Sequence, residues 1–139
     1  MISKSINRNE LAGLLRSRGV NITHQRVEIA YALFSRMEHL SADQILGIVN
    51  EHHAETSKAT VYNTLRLLRE KELVREVIID PSKIFYDPNT IPHHHFFDIV
   101  SGQLTDIPAS AIQITGLPPL PEGVIAESVE VIIRTRPSP

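Results

Sequence analysis

The chain of 139 residues has no cysteine. That excludes disulfides, thiolate-bound zinc and a thiol redox switch, and it leaves imidazole and carboxylate to carry any metal chemistry. It also suits a cytoplasmic setting. No apolar run approaches the ~18 residues that a membrane span needs, so no membrane association is expected. The opening residues, Met1-Ile2-Ser3-Lys4-Ser5-Ile6, lead into polar sequence without a secretory pattern. Long-period repeats are absent, and the one low-complexity tract is a run of three histidines. With 42% hydrophobic and 22% charged residues, the composition is that of a globular protein of one domain or two small ones.

Formal net charge is −2, which by itself argues against a polyanionic partner. The distribution argues the other way. Residues 1–79 carry 11 Lys and Arg against 9 Asp and Glu, and residues 80–139 carry 3 against 7, so a front at +2 precedes a back at −4. The bases also cluster, as Arg16, Arg18 and Arg26 and as Lys58, Arg66, Arg69, Lys71 and Arg75. This suits a front that meets a polyanion, although solvated helix faces would look the same by charge alone.

Four helical patterns come first. From Asn7 to Arg18, Leu11, Leu14 and Leu15 share a face, and Gly19 follows as a stop. From Thr23 to Met37, Val27, Ala30, Tyr31, Phe34 and Met37 recur at helical spacing. Ser41-Ala42-Asp43-Gln44 is a capping box, with Ala42, Ile45, Leu46 and Val49 as the stripe behind it. Ser57 caps a fourth helix, SKATVYNTLRLLREKELV, in which Val61, Thr64, Leu65 and Leu68 face inward. Then the period changes. Leu73 to Ile79 and Lys83 to Asp87 are β-rich, with Asp80-Pro81-Ser82 as the turn between them. Pro88 and Pro92 bracket a hinge. Beyond it, HHHFFDIV and QLTDI pair as strands around Ser101-Gly102. Residues 107–123 are irregular, with at most a short helix near Ala109–Ile112, and Glu127 to Arg136 alternates like a strand.

The expected fold class is α+β, with a winged helix-turn-helix DNA-binding domain at residues 1–87, a hinge at 88–92 and a small β-rich domain at 93–139. Three strands are too few to bury a stable core alone, and they leave sheet edges open. Both points favour a homodimer built by the C-terminal half. The helix before the wing is then the reader of double-stranded DNA. Its first turns present Lys58, Thr60, Tyr62, Asn63 and Arg66 outward, a mixture able to address phosphates, thymine methyls and base edges in the major groove. Lys58, Arg69 and Lys71 suit phosphate, and Arg26 joins the DNA-binding candidates from the other basic cluster. Any amphipathic surface helix is polar outside; its place before a wing is what favours DNA.

His93 and His95 lie two apart on a strand and so share a face, with His94 on the other. Carboxylates nearby bias an imidazole site toward iron or manganese. Asp87 precedes His93 by six residues, Asp106 lies on the next strand, and His39 stands just before the Ser41 cap. Taken singly, His39 reads as a polar loop residue, Asp87 as a turn former and Asp106 as a strand terminator. Three consecutive histidines among seven in the chain are harder to pass over. Metal held by His39, Asp87, His93, His95 and Asp106 would bridge the two domains and fix their angle.

In this order, ITHQRVEIAYAL, EHLSADQI, SKATVYNTLRLL, FYD and HHHFF resemble the ferric uptake regulator family of bacterial metal-dependent transcription factors. The resemblance runs from about residue 10 to residue 136 of the chain. Through HHH, QLTDIP and LPEGVIAESVEVIIRTR it is most similar to the iron response regulator branch. It implies one regulatory Mn²⁺ or Fe²⁺ per subunit at those five residues and an AT-rich inverted repeat as the operator. Aspartate at both Asp87 and Asp106 is similar to the peroxide-sensing repressors of the family, where iron oxidises a histidine ligand. It also implies a second metal, or haem, at His93, His94 and His95. Departures go with it. Asp98 and Ser101 stand where many members carry the first C-x-x-C pair, so the structural Cys₄ zinc is not expected. The N-terminal Cys-Pro haem motif is missing, and the proline-rich stretch 107–123 replaces the long helix of the dimerisation domain. A non-haem iron oxygenase built on His93, His95 and one aspartate is a rival reading, as is a DNA-binding dimer with a purely structural metal.

Overall fold

The first helix, α1 (Arg8–Ser17), begins at a reciprocal cap: the Asn7 side chain accepts the Glu10 N–H at 2.8 Å, and Glu10 reaches back to the Asn7 N–H. It ends where Gly19, at φ +80°, lets the N–H groups of Gly19 and Val20 turn back to the carbonyls of Arg16 and Leu15. Leu11 and Leu15 are fully buried, and Leu14 lies at the edge of the same core. The computed structural model describes residues 5–51 and 55–139; Met1 to Lys4, part of the stretch without a secretory pattern, lie outside them. The chain divides into two compact units, residues 1–90 and 91–139.

In the first unit, α2 (His24–Phe34) packs against α1, α3 (Ala42–Val49) and α4 (Lys58–Glu70). Being surrounded, it buries Ile29, Ala32 and Leu33 as well as Val27, Ala30 and Phe34, a wider band than the one-sided stripe expected. It also ends earlier than its apolar spacing suggests. Ser35 caps it, and Met37 adopts φ 52°, a left-handed conformation that stops a helix. Ser41 caps α3 and Gln44 completes the box. α4 buries Val61, Thr64, Leu65 and Leu68 and ends at Glu70, short of Val74. There Glu72 takes φ 59°, and Leu73 folds back so that its N–H meets the Leu68 carbonyl. Burying a leucine such as Leu65 contributes about 1.5–3 kcal/mol, which is how the stripes hold three helices around α2.

The wing is more than a hairpin. β2 (Arg75–Asp80) and β3 (Lys83–Asp87) pair antiparallel, and the two-residue β1 (Leu40–Ser41) adds a third strand in the order β1-β3-β2. Leu40 pairs with Tyr86 and Ser41 with Phe85. The wing tip is closed by Asp80, whose carboxylate accepts the Ser82 N–H and hydroxyl. These bonds hold the Asp80 carboxyl below the usual carboxylate range.

The second unit is a three-stranded sheet in the order β5-β4-β6. β4 (His93–Asp98) runs antiparallel to β5 (Leu104–Pro108) and parallel to β6 (Ile132–Thr135). A single 3₁₀ turn, Ala109–Ala111, follows β5. The alternating stretch from Glu127 becomes strand only at Ile132, where its parallel ladder with β4 begins opposite His95. The fold class is thus α+β, a winged helix followed by a small β-rich unit. No helix among the described residues is long and apolar enough to cross a membrane.

Candidate metal centre

β1 does for the first unit what the sequence could not show. Its register on β3, with Leu40 opposite Tyr86, sets His39 against Asp87 at the next position of an antiparallel ladder. His39 Nε2 lies 3.3 Å from Asp87 Oδ2, and the Asp87 carboxylate is almost fully buried. Its other oxygen, Oδ1, accepts the Asn89 N–H at 2.9 Å.

In the second unit, β4 brings His93 and His95 to one side, with ring centroids 4.5 Å apart. The β4–β5 register places Asp106 opposite His95. Asp106 Oδ1 is 3.3 Å from His93 Nε2 and 3.4 Å from His95 Nε2. The three residues offer ligand atoms within 4.8 Å of one another. His93 Nδ1 faces the Ile91 carbonyl at 2.6 Å. A carbonyl can only accept, so Nδ1 carries the proton and the lone pair of a neutral His93 is on Nε2, toward Asp106. A lone pair facing a carboxylate oxygen calls for a cation between them. A proton satisfies one such contact, whereas a metal ion satisfies both imidazoles and the carboxylate together. Two ligand atoms held at about 2.1 Å from one ion stand about 3.0 Å apart at a right angle and about 3.4 Å apart at a tetrahedral one. The separations of 3.3 and 3.4 Å fit that requirement. The donor set fits a divalent ion of the iron or manganese kind, with no thiolate to favour zinc.

The DNA-binding candidates are placed as follows. On α4, Lys58, Tyr62, Asn63 and Arg66 are exposed, Tyr62 at 45%. Thr60 is half-buried and its hydroxyl meets that of Ser57 at 2.9 Å. Lys58 pairs with Asp43 at 3.3 Å and sits over the Tyr62 ring, and Arg66 donates to Asn63. Arg26 is half-buried and donates to the Asn21 carbonyl at 2.8 Å, so it also braces the turn before α2. Asp43 and Glu76, the latter bonded to Arg69 at 2.7 Å, order these bases and were not singled out from the sequence. Asp98 and Ser101 form a hydrogen-bonded turn. The Asp98 carboxylate accepts the Val100 and Ser101 N–H groups, which hold it below the usual range.

A family model described as the ferric uptake regulator family matches residues 17–117. The chain belongs to the ferric uptake regulator family. Members of this family are metal-responsive transcriptional regulators rather than enzymes, which decides against the oxygenase reading. The chain is 35% identical over 92 residues to the peroxide-responsive repressor PerR of Staphylococcus epidermidis, a match covering 66% of this chain and 61% of that protein. The PerR of Staphylococcus aureus matches at the same identity over 62% of its length. The chain therefore spans about six-tenths of the curated relatives it matches. In fold it is similar to the ferric uptake regulator of Pseudomonas aeruginosa with manganese, at TM-score 0.69 and 20% identity over 93% of this chain and 98% of that one. It is also similar to the Campylobacter jejuni peroxide stress regulator, at TM-score 0.59 and 20% identity over 94% and 96%.

Proposed function

We propose that this chain is a homodimeric, metal-responsive DNA-binding regulator of iron-homeostasis or oxidative-stress genes, working in the bacterial cytoplasm. The observation that carries the reading is the donor geometry. His39 with Asp87, and His93 with His95 and Asp106, each stand at separations one ion would set, in a chain of this family. In this reading both sets serve one Mn²⁺ or Fe²⁺ per subunit across a hinge at 88–92. The ion, when bound, supplies the positive centre on which imidazole lone pairs and carboxylate oxygens converge.

The chain's own residues convert that convergence into shape. The Asn89 N–H holds Asp87 from behind, and the Ile91 carbonyl holds His93. The hinge backbone is therefore tied to a donor at each end. Drawing the donors together restricts the hinge and sets the two copies of α4 at the spacing of an inverted repeat. Arg26, Lys58, Thr60, Tyr62, Asn63 and Arg66 then meet an AT-rich operator. For control, the ion must favour the DNA-competent arrangement; a hundredfold preference supplies about 2.7 kcal/mol. Among signals, identity to repressors named peroxide-responsive favours peroxide, read through oxidation of His39 or His93.

The test is a gel shift of the metal-free protein on AT-rich inverted repeats, titrated with Mn²⁺, Fe²⁺ and Zn²⁺. Affinity rising with Mn²⁺ or Fe²⁺ is expected. Binding indifferent to every metal would leave the purely structural metal in its place. Addition of one oxygen to His39 or His93 after Fe²⁺ and peroxide, seen by peptide mass spectrometry, tests the signal.

A further inference from the structure

The middle histidine of the triplet has its own partner. His94 is buried, at 6% exposure, and the β4–β5 register places it opposite Ile107, one position away from the His95–Asp106 pair. Its Nδ1 lies 3.0 Å from the backbone nitrogen of Val131, the residue that leads into β6. A backbone N–H can only donate, so Nδ1 must hold a lone pair. A neutral imidazole has one such lone pair, and its remaining proton is then on Nε2. The Val131 carbonyl accepts the His95 N–H at 3.1 Å, so the same peptide unit region is gripped twice from β4.

We propose that His94 is the clasp of the C-terminal strand, and that it cannot ligate haem or a second metal while β6 is docked. Its single lone pair already accepts the Val131 N–H. Ligation through Nδ1 would take the acceptor from Val131 directly. Ligation through Nε2 would move the proton to Nδ1 and set it against the Val131 N–H, donor against donor. Either way, the start of β6 must detach and leave a buried backbone donor in need of a partner. The haem or second-metal role that the triplet suggests therefore does not fit this arrangement. His94 is a positioning residue for the strand that flanks His95, and this assignment holds whether or not His93 and His95 bind an ion.

The experiment is amide hydrogen exchange by NMR on the full chain, with His94→Asn and His94→Leu beside the parent. Asn places an acceptor oxygen close to where Nδ1 stands; Leu fills the space without one. Val131 is expected to exchange about tenfold faster in His94→Leu, and within about threefold of the parent in His94→Asn. Equal protection of Val131 in the parent and His94→Leu would overturn the clasp. The parent itself supplies a second measurement should a variant not fold. Ring nitrogen shifts must show the Nδ1 of His94 unprotonated, and a proton on Nδ1 refutes the assignment. A haem Soret band in the parent that is absent in His94→Leu, with Val131 still protected in the haem-loaded protein, would overturn the exclusivity.

Discussion

Replacing His93 by asparagine separates its two jobs. The Asn amide can still donate to the Ile91 carbonyl that now receives Nδ1–H at 2.6 Å, but nothing replaces Nε2, 3.3 Å from Asp106. The metal-free variant should therefore lose no more than about 1 kcal/mol of stability. Metal affinity should fall much further. Loss of groups that only orient a ligand costs about 10–100-fold, so loss of the ligand itself costs at least about 100-fold. At Mn²⁺ a hundredfold above the parent's dissociation constant, binding stabilises the parent by about 2.7 kcal/mol. For a variant bound a hundredfold more weakly, the same Mn²⁺ contributes only about 0.4 kcal/mol. A chain of this size shifts its melting temperature by about 3–5 °C per kcal/mol. Mn²⁺ should therefore raise the parent's Tm by roughly 10 °C and the variant's by roughly 1–2 °C. Differential scanning fluorimetry with and without Mn²⁺ reads this directly. A variant whose Mn²⁺ shift equals the parent's would remove His93 from the ion's ligands and refute the reasoning.

Lys58→Ala should weaken DNA binding across sequences and lower the salt slope by about 1, as a phosphate contact does, which a salt titration of operator binding measures. Glu72→Gly should stabilise the fold by about 0.5–1 kcal/mol in urea melts, since Glu72 holds φ 59° where a side chain is strained. Hydrogen bonding to Arg8 lowers the Glu28 pKa, so the pair's contribution is complete above the ordinary glutamate value of about 4.3 and is lost as pH falls through the lower folded value. Arg8 is 56% exposed, so that contribution is at most about 1 kcal/mol. Glu28→Gln should remove it at neutral pH and flatten this part of the acid unfolding curve. Leu65→Ala, at a fully buried position on α4, should cost about 2–5 kcal/mol in the same melts.

The caps and stripes of the four helices could be read residue by residue. Ser41 with Gln44, Ser57 with Thr60, and Val61, Thr64, Leu65 and Leu68 act through neighbours three or four positions away. The sharing of one side by His93 and His95 is equally local, because alternation along a strand needs no knowledge of the partner. The end of α2 was not legible. Met37 continues the apolar spacing, yet its left-handed backbone turns the chain toward β1. The candidate donors His39, Asp87, His93, His95 and Asp106 were nameable from the residue types and the family resemblance, but their pairing was not.

What the sequence by itself determined was the inventory of helices, wing strands and donors, and the loss of thiolate chemistry that follows from having no cysteine. Only the tertiary structure decided which groups meet. A two-residue strand sets His39 against Asp87 across more than forty positions of chain, and Val131, just ahead of a parallel strand that begins at Ile132, donates its N–H to the lone pair of His94. Both are contacts between distant segments, and register between such segments is a property of the packed sheet that no local periodicity encodes.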